Sequence, residues 1–226
     1  MTTATERAKA DGTTVYRKSV KPASDTILKP GSNNKKLGFT ITKGRWKGKK
    51  IFSLTLEERA TCPTYCHHWE DCYGNNMPFA HRFSNDSDFL DYVRRSVCSL
   101  LNRYALGIVV RLHVLGDFYS TKYVSFWAGL LREYPTLSVY GYTARWDDDI
   151  AEAINNLNQE FPDQCVIRFS RNAAYDEISK HRFATDENFK GKTFTCPEQT
   201  GGVDSCADCG ACWGTHCTKS VKFLSH

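Results

Sequence analysis

The sequence predicts an α/β protein built around a parallel sheet of repeated strand–helix units, with an N-terminal β-hairpin in front and a cysteine-rich segment behind. Three observations carry this expectation. Apolar, β-branched runs recur with centres about thirty residues apart, the length of a βαβ unit. Between them lie stretches whose apolar residues fall at helical spacing. Beyond about residue 190 the chain loses its aliphatics and gathers Cys and Gly instead.

Residues 1–35 are rich in Thr, Lys, Ser, Asn and Gly without a sustained period, and are expected to form a flexible arm. Residues 37–42 and 50–56 alternate like two strands, with 43–48 as the turn of a hairpin. The stretch Asn85-Asp86-Ser87-Asp88 is a helix-start signal, and Phe89, Val93, Val97, Leu100, Leu101 and Tyr104 then recur on one helical face. Residues 107–114 form an apolar run suited to a buried strand, closed by Leu115-Gly116-Asp117. A helix carrying Tyr123, Phe126, Trp127, Leu130, Leu131 and Tyr134 follows, and Pro135 stops it.

The unit repeats. Residues 137–142 form a strand closed by Thr143-Ala144-Arg145-Trp146. Asp147, Asp148 and Asp149 then supply acid at a helix N-terminus, and Ile150, Ile154 and Leu157 give that helix its apolar stripe. Residues 165–169 form the next strand, closed by Ser170-Arg171-Asn172. The body is therefore expected over 36–190 and the appendage, ordered by metal, over 191–226.

Of the 226 residues, 41% are hydrophobic and 24% charged, ordinary for a globular protein with a substantial core. No run approaches the length needed to span a membrane, and the first residues carry no secretion signal. A cytoplasmic, reducing setting is the expectation. There, clustered thiols read as metal ligands rather than disulfides. The net charge is +5, and much of it sits early: Lys18, Lys21, Lys29, Lys35, Lys36, Lys43, Arg45, Lys47, Lys49 and Lys50. Such a basic region beside Trp46 can touch nucleic acid; a solvated tail and hairpin is the favoured reading, because no nucleic-acid-binding signature accompanies the charge.

Ten cysteines are present, and eight fall in two groups. The first is Cys62, Cys66 and Cys72. Three thiolates hold a [4Fe-4S] cluster with one iron open, while His67 or His68 would complete a zinc site instead; spacing does not separate the two. The second group is Cys196, Cys206, Cys209, Cys212 and Cys217. The Cys206-x2-Cys209-x2-Cys212 run favours iron–sulfur over zinc, with Cys196 or Cys217 as the fourth thiolate. Cys98 and Cys165 read as packing residues. His113, within a strand, reads as a core histidine. Parallel sheets place working groups at the carboxyl ends of strands. The first cysteine group, Gly116 and Asp117, Thr143 and Arg145, and Ser170 to Asn172 are therefore expected on one face. Asp117 is either a cofactor contact or the N-cap of the next helix. Arg145 either binds an anion or pairs with Asp147 or Asp149.

A cysteine loop after the first strand, then a strand ending in Gly116-Asp117, then further βα units, resembles the radical S-adenosylmethionine partial barrel. That resemblance implies Cys62, Cys66 and Cys72 as ligands of a [4Fe-4S] cluster. It implies Gly116, Asp117, Thr143, Arg145, Ser170 and Asn172 as candidates around S-adenosylmethionine. It also implies reductive cleavage of that cofactor for radical chemistry on a substrate the residues do not name. The second cysteine gap is longer here than in that superfamily. The Thr61-Cys62-Pro63 start, Arg111 to Ser120, Gly141 to Arg145, and the tail from Cys196 to Trp213 resemble the gene product eighty-eight family of phages and plasmids. This implies a mobile-element origin. The other functional class left open is a non-enzymatic zinc- or iron–sulfur-ordered module that binds nucleic acid or a host protein.

Overall fold

In the computed structural model, residues 3–170, 183–185, 193–214 and 219–224 are described. Asn172 and Cys217 lie outside them. Helices are α1 (Ala4–Ala10), α2 (Phe89–Arg103), α3 (Thr121–Glu133), α4 (Asp149–Glu160) and α5 (Cys206–Cys209). Strands are β1 (Val20–Lys21), β2 (Lys29–Pro30), β3 (Lys50–Ser53), β4 (Arg82–Phe83), β5 (Ile108–Leu112), β6 (Leu137–Thr143), β7 (Cys165–Ser170), β8 (Phe183–Thr185), β9 (Thr193–Thr195) and β10 (Ser220–Lys222). The main sheet has eight strands in the order β2-β3-β5-β6-β7-β8-β10-β9. Only β2 runs antiparallel to its neighbour; every other pairing is parallel. The parallel α/β expectation holds. The order does not return on itself, so the sheet is not a closed barrel.

Local chemistry explains the helices. Ser120 Oγ accepts from the Tyr123 amide and starts α3; the Asp148 carboxylate accepts from the Ala151 amide at 2.8 Å and starts α4. Each helix lays an apolar stripe on one face of the sheet: Phe89, Val93 and Val97 from α2, Tyr123, Trp127 and Leu131 from α3, Ile150, Ile154 and Leu157 from α4. They meet Phe52, Val110, Leu112, Val139 and Ile167 from the strands.

Strand residues of the other parity face a second core of Ile51, Val109, Tyr140 and Val166. Two segments cover it. Leu37, Ile41 and Trp46 come from the front of the chain, and Cys196, Ala207, Cys212, Trp213 and Val221 come from its end. Trp46 and Trp213 stack with ring centroids 5.8 Å apart.

The structure adds detail at both ends of the chain. The front stretch is not a free arm. Helix α1 has a capping box on Thr3 and Glu6, and Ile27 and Leu28 are buried in the helix-side core. The hairpin is short: residues 39–41 fold back on 48–51 through the antiparallel bridge Thr40 to Lys50 and the backbone bonds Ile41 N–H to Lys49 O, Gly48 N–H to Ile41 O and Ile51 N–H to Phe39 O. The free edge of β3 is shared between residues 39–41 and β2. Backbone crowding permits this only with glycine at 31, where a Cβ would lie 2.1 Å from the Gly38 carbonyl. Finally, the described tail residues, 193–214 and 219–224, pack onto the sheet. Strands β9 and β10 join the main sheet and Trp213 fills its inner face, because one tryptophan stack replaces the aliphatics the segment lacks.

Candidate functional site

The carboxyl ends of β3, β5 and β6 converge as their parallel pairing requires. The loop after β3 carries Cys62, Cys66 and Cys72, and a buried polar frame holds it. Arg82 is fully buried and grips Glu58 through both carboxylate oxygens, at 2.6 and 3.0 Å. It also donates to the carbonyls of Gly74, Met77 and Ala80 and to Ser19 Oγ. Thr14 Oγ1 donates to Glu58 at 2.6 Å. Arg59 has φ 64° and donates to the Trp69 carbonyl, the Thr13 carbonyl and Asn75 Oδ1.

Asp117 joins this loop to the strands. Its Oδ1 accepts from the Phe118 amide and its Oδ2 from the Ala144 amide, both at 2.7 Å. The Asp117 amide donates to Thr61 Oγ1 at 3.1 Å. Burial raises its pKa to about 6, against the bonds from Ala144, Thr143 and Phe118 and the charge of Arg145. Asp117 does not cap the following helix; Ser120 does. Gly116 has φ 81°, and a Cβ there would lie 2.5 Å from Thr61 Oγ1 and 2.6 Å from Leu56 Cβ. Thr143 Oγ1 accepts from the Arg145 amide. Arg145 donates to the Phe118 and Thr61 carbonyls and pairs with Asp148 at 3.0 Å, rather than with Asp147 or Asp149. Tyr65 donates to the same Asp148 at 2.8 Å.

The sequence-predicted residues Cys62, Cys66, Cys72, Gly116, Asp117, Thr143 and Arg145 therefore share one end of the sheet. Ser170 ends β7 at that same end, partly exposed. Burial pushes the Cys62 thiol well up; the Asp117 carboxylate and the Cys66 and Cys72 sulfurs push it further. Burial likewise moves Cys66 to about 11. Besides burial, Cys62 feels Cys66 and Cys72, and Cys66 feels Cys72. Among the described residues no group of three or more Cys, His, Asp or Glu side chains is arranged to hold one metal ion. Three soft, partly buried sulfurs still suit a cubane, which spreads its ligands over separate irons. His67 and His68 lie exposed beside each other, with ring centroids 4.2 Å apart, and His68 contacts Asp71.

Cys196, Cys206, Cys209 and Cys212 gather on the inner face. Burial raises Cys206, with Cys212 and Cys196 adding to it, and raises Cys212, with Cys196 and Cys209 adding to it. The Tyr142 hydroxyl donates to Cys212 Sγ at 2.8 Å. The buried Trp213 Nε1 has no acceptor among the described residues, so a donor stands ready beside these sulfurs. Thiolates are soft-metal donors by type.

His113 is buried, with Nε2 3.0 Å from the Tyr123 hydroxyl, and burial lowers its pKa to about 3. Cys165 is buried packing, as expected. The basic region is largely engaged. Trp46 is in the core, Arg45 pairs with Asp163, and Lys49 donates to the Thr136 carbonyl and Ser138 Oγ. Glu58, Arg59 and Arg82 are residues that sequence reasoning missed. Their signal is charge with no amphipathic period around it, and only the fold shows that they are buried. Arg111 and Arg168 were legible as lone cations inside apolar strand runs.

A family model described as Gene product 88 matches residues 26–215. The Gene 88 protein of Mycobacterium phage L5 is 29% identical over 124 residues, covering 45% of this chain and 49% of that protein. The match thus spans about half the length of that curated relative. No solved structure matches the chain. No helix among the described residues is long and apolar enough to cross a membrane.

Proposed function

This chain belongs to the Gene product 88 family, and from that premise we propose that it is an iron–sulfur protein working in the manner of radical S-adenosylmethionine enzymes. Cys62, Cys66 and Cys72 would hold a [4Fe-4S] cluster. Bound there, such a cluster supplies one-electron reduction of the sulfonium of S-adenosylmethionine, which opens radical chemistry on a substrate. The single observation that supports the reading is that the loop carrying Cys62, Cys66 and Cys72 is tied through Thr61 to Asp117 at the carboxyl ends of parallel strands.

The chain's own residues do the positioning. The Glu58–Arg82 pair and Arg59 fix the thiol loop. Asp117 locks that loop to β5 and β6 while its oxygens serve the backbone. Thr143 and Ser170, at the ends of β6 and β7, would contact the cofactor, as would Asn172, which is outside the described residues. Cys196, Cys206, Cys209 and Cys212, with Cys217 from outside the described residues, would hold a second centre that anchors the tail across the inner face. Zinc is the alternative metal at either group. The rival role, a metal-ordered module that grips nucleic acid through residues 43–50, is less well supported, since Trp46, Arg45 and Lys49 already have partners within the fold.

The test is oxygen-free purification and reconstitution, with iron, sulfide and zinc quantified. Electron paramagnetic resonance spectra of the reduced protein follow, with and without S-adenosylmethionine. Replacing Cys62, Cys66 and Cys72 together by Ser should remove one cluster and the cofactor-dependent spectral change. Zinc without iron, or a spectrum indifferent to the cofactor, would end the radical reading.

A further inference from the structure

Arg111 and Arg168 project onto the inner face of the sheet, because they share parity with Val109 and Val166. Among the described residues neither has a carboxylate within ion-pairing distance, and Arg168 is fully buried. Buried or half-buried charge in a folded protein is normally paired. Arg168 is spent on the tail: it donates to the carbonyls of Cys212, Ala211 and Lys219. Arg111 is not. Its Nη1 donates to the carbonyls of Leu112 and His113, whereas Nε and Nη2 have no acceptor among the described residues.

That Nε–Nη2 edge is the one that grips a carboxylate or phosphate with two parallel bonds. The same molecule uses it so twice: Arg82 on Glu58 at 2.6 and 3.0 Å, and Arg132 on Glu160 at 2.7 and 2.8 Å. In Arg111 the guanidinium lies over the ring of Tyr142, 4.6 Å from its centroid, and 5.6 Å from that of Tyr140. These rings orient the plane. The Tyr140 hydroxyl is buried, feels the charge of Arg111, and has no acceptor either. Arg111, Tyr142, Cys206, Cys62 and Cys72 are all partly exposed, so solvent reaches this region. Tyr142, over whose ring the guanidinium lies, donates to Cys212 Sγ at 2.8 Å, which places Arg111 beside the second thiol group.

We propose that the inner face beside the second thiol group binds an oxyanion, a carboxylate or phosphate of the substrate, through the Nε–Nη2 edge of Arg111 with the Tyr140 hydroxyl as a further donor. This names a substrate class for the region of the site proposed above. Binding of the anion does not require the metal, so the two readings fail separately.

The experiment is titration calorimetry of the full chain, metal-free and reconstituted, with inorganic phosphate in one arm and succinate in the other. Metal content is measured on the same preparations. One or both anions bind, and Arg111→Gln weakens binding by about tenfold or more, as loss of a charged, bidentate contact demands. Arg111→Lys keeps the charge but loses the fork, and weakens it severalfold. Lys122→Gln, exposed on α3, leaves it unchanged. Circular dichroism verifies folding of each variant; should the glutamine variant not fold, the lysine variant decides. Undiminished binding in either Arg111 variant, or no binding of either anion by the unaltered chain, overturns the proposal. Which anion binds decides between phosphate and carboxylate.

Discussion

The Asp117 carboxylate accepts the Ala144 amide at 2.7 Å, so the end of β5 is tied to the end of β6 by a group held in the dark of the protein. The same side chain raises the pKa of Cys62. Structure and chemistry therefore meet at one residue.

Asp117 has a folded pKa of about 6, above its ordinary value of 3.8. The folded chain thus binds more protons than the unfolded chain between those values. Stability is fully helped by this group below about pH 4 and is lost as pH rises through about 6. The difference is on the order of 3 kcal/mol. Asp117→Asn, which cannot ionise, flattens that slope, although its amide NH₂ must face a backbone donor. Urea unfolding of both proteins from pH 4 to 7 measures it; equal slopes would remove Asp117 as the source.

Gly116→Ala strains a positive φ and drives a Cβ into Thr61 and Leu56. The loss is about 2–3 kcal/mol or more, since the obstacles are a packed side chain and backbone. A lowered thermal midpoint is expected. So is faster alkylation of Cys62, because Thr61 is displaced with it.

Glu58→Gln leaves the Arg82 guanidinium buried without its counter-charge. Breaking one partner of such a pair costs about 3–5 kcal/mol. Arg82 also holds the carbonyls of Gly74, Met77 and Ala80, so residues 74–80 lose amide protection first. Hydrogen exchange reads this directly; protection lost evenly across the chain would contradict the assigned role.

Trp213→Ala removes a buried indole stacked on Trp46 and costs about 3–5 kcal/mol. Limited proteolysis then cuts within 193–224 before the sheet unfolds. A double-mutant cycle with Trp46→Ala returns a coupling of about 1 kcal/mol. Additive losses would mean that the stack is not what holds the tail.

The family, the parallel strand–helix core and the grouping of functional candidates were legible in the sequence. Local signals sufficed: apolar runs at 108–112, 137–143 and 165–170, the helical stripe of Trp127 and Leu131, the caps at Ser120 and Asp148. Parallel pairing then put Cys62, Asp117 and Arg145 at one end, since residues closing parallel strands must lie together. Other features required contacts between distant segments. Trp46 meets Trp213 across more than half the chain, so the inner-face role of the tail has no local signature. Glu58 finds Arg82, and Arg111 is left without a carboxylate, only once every segment is placed. A sequence determines parity and periodicity because backbone geometry repeats; which charges end up paired is decided by the tertiary structure, because pairing depends on distance in space.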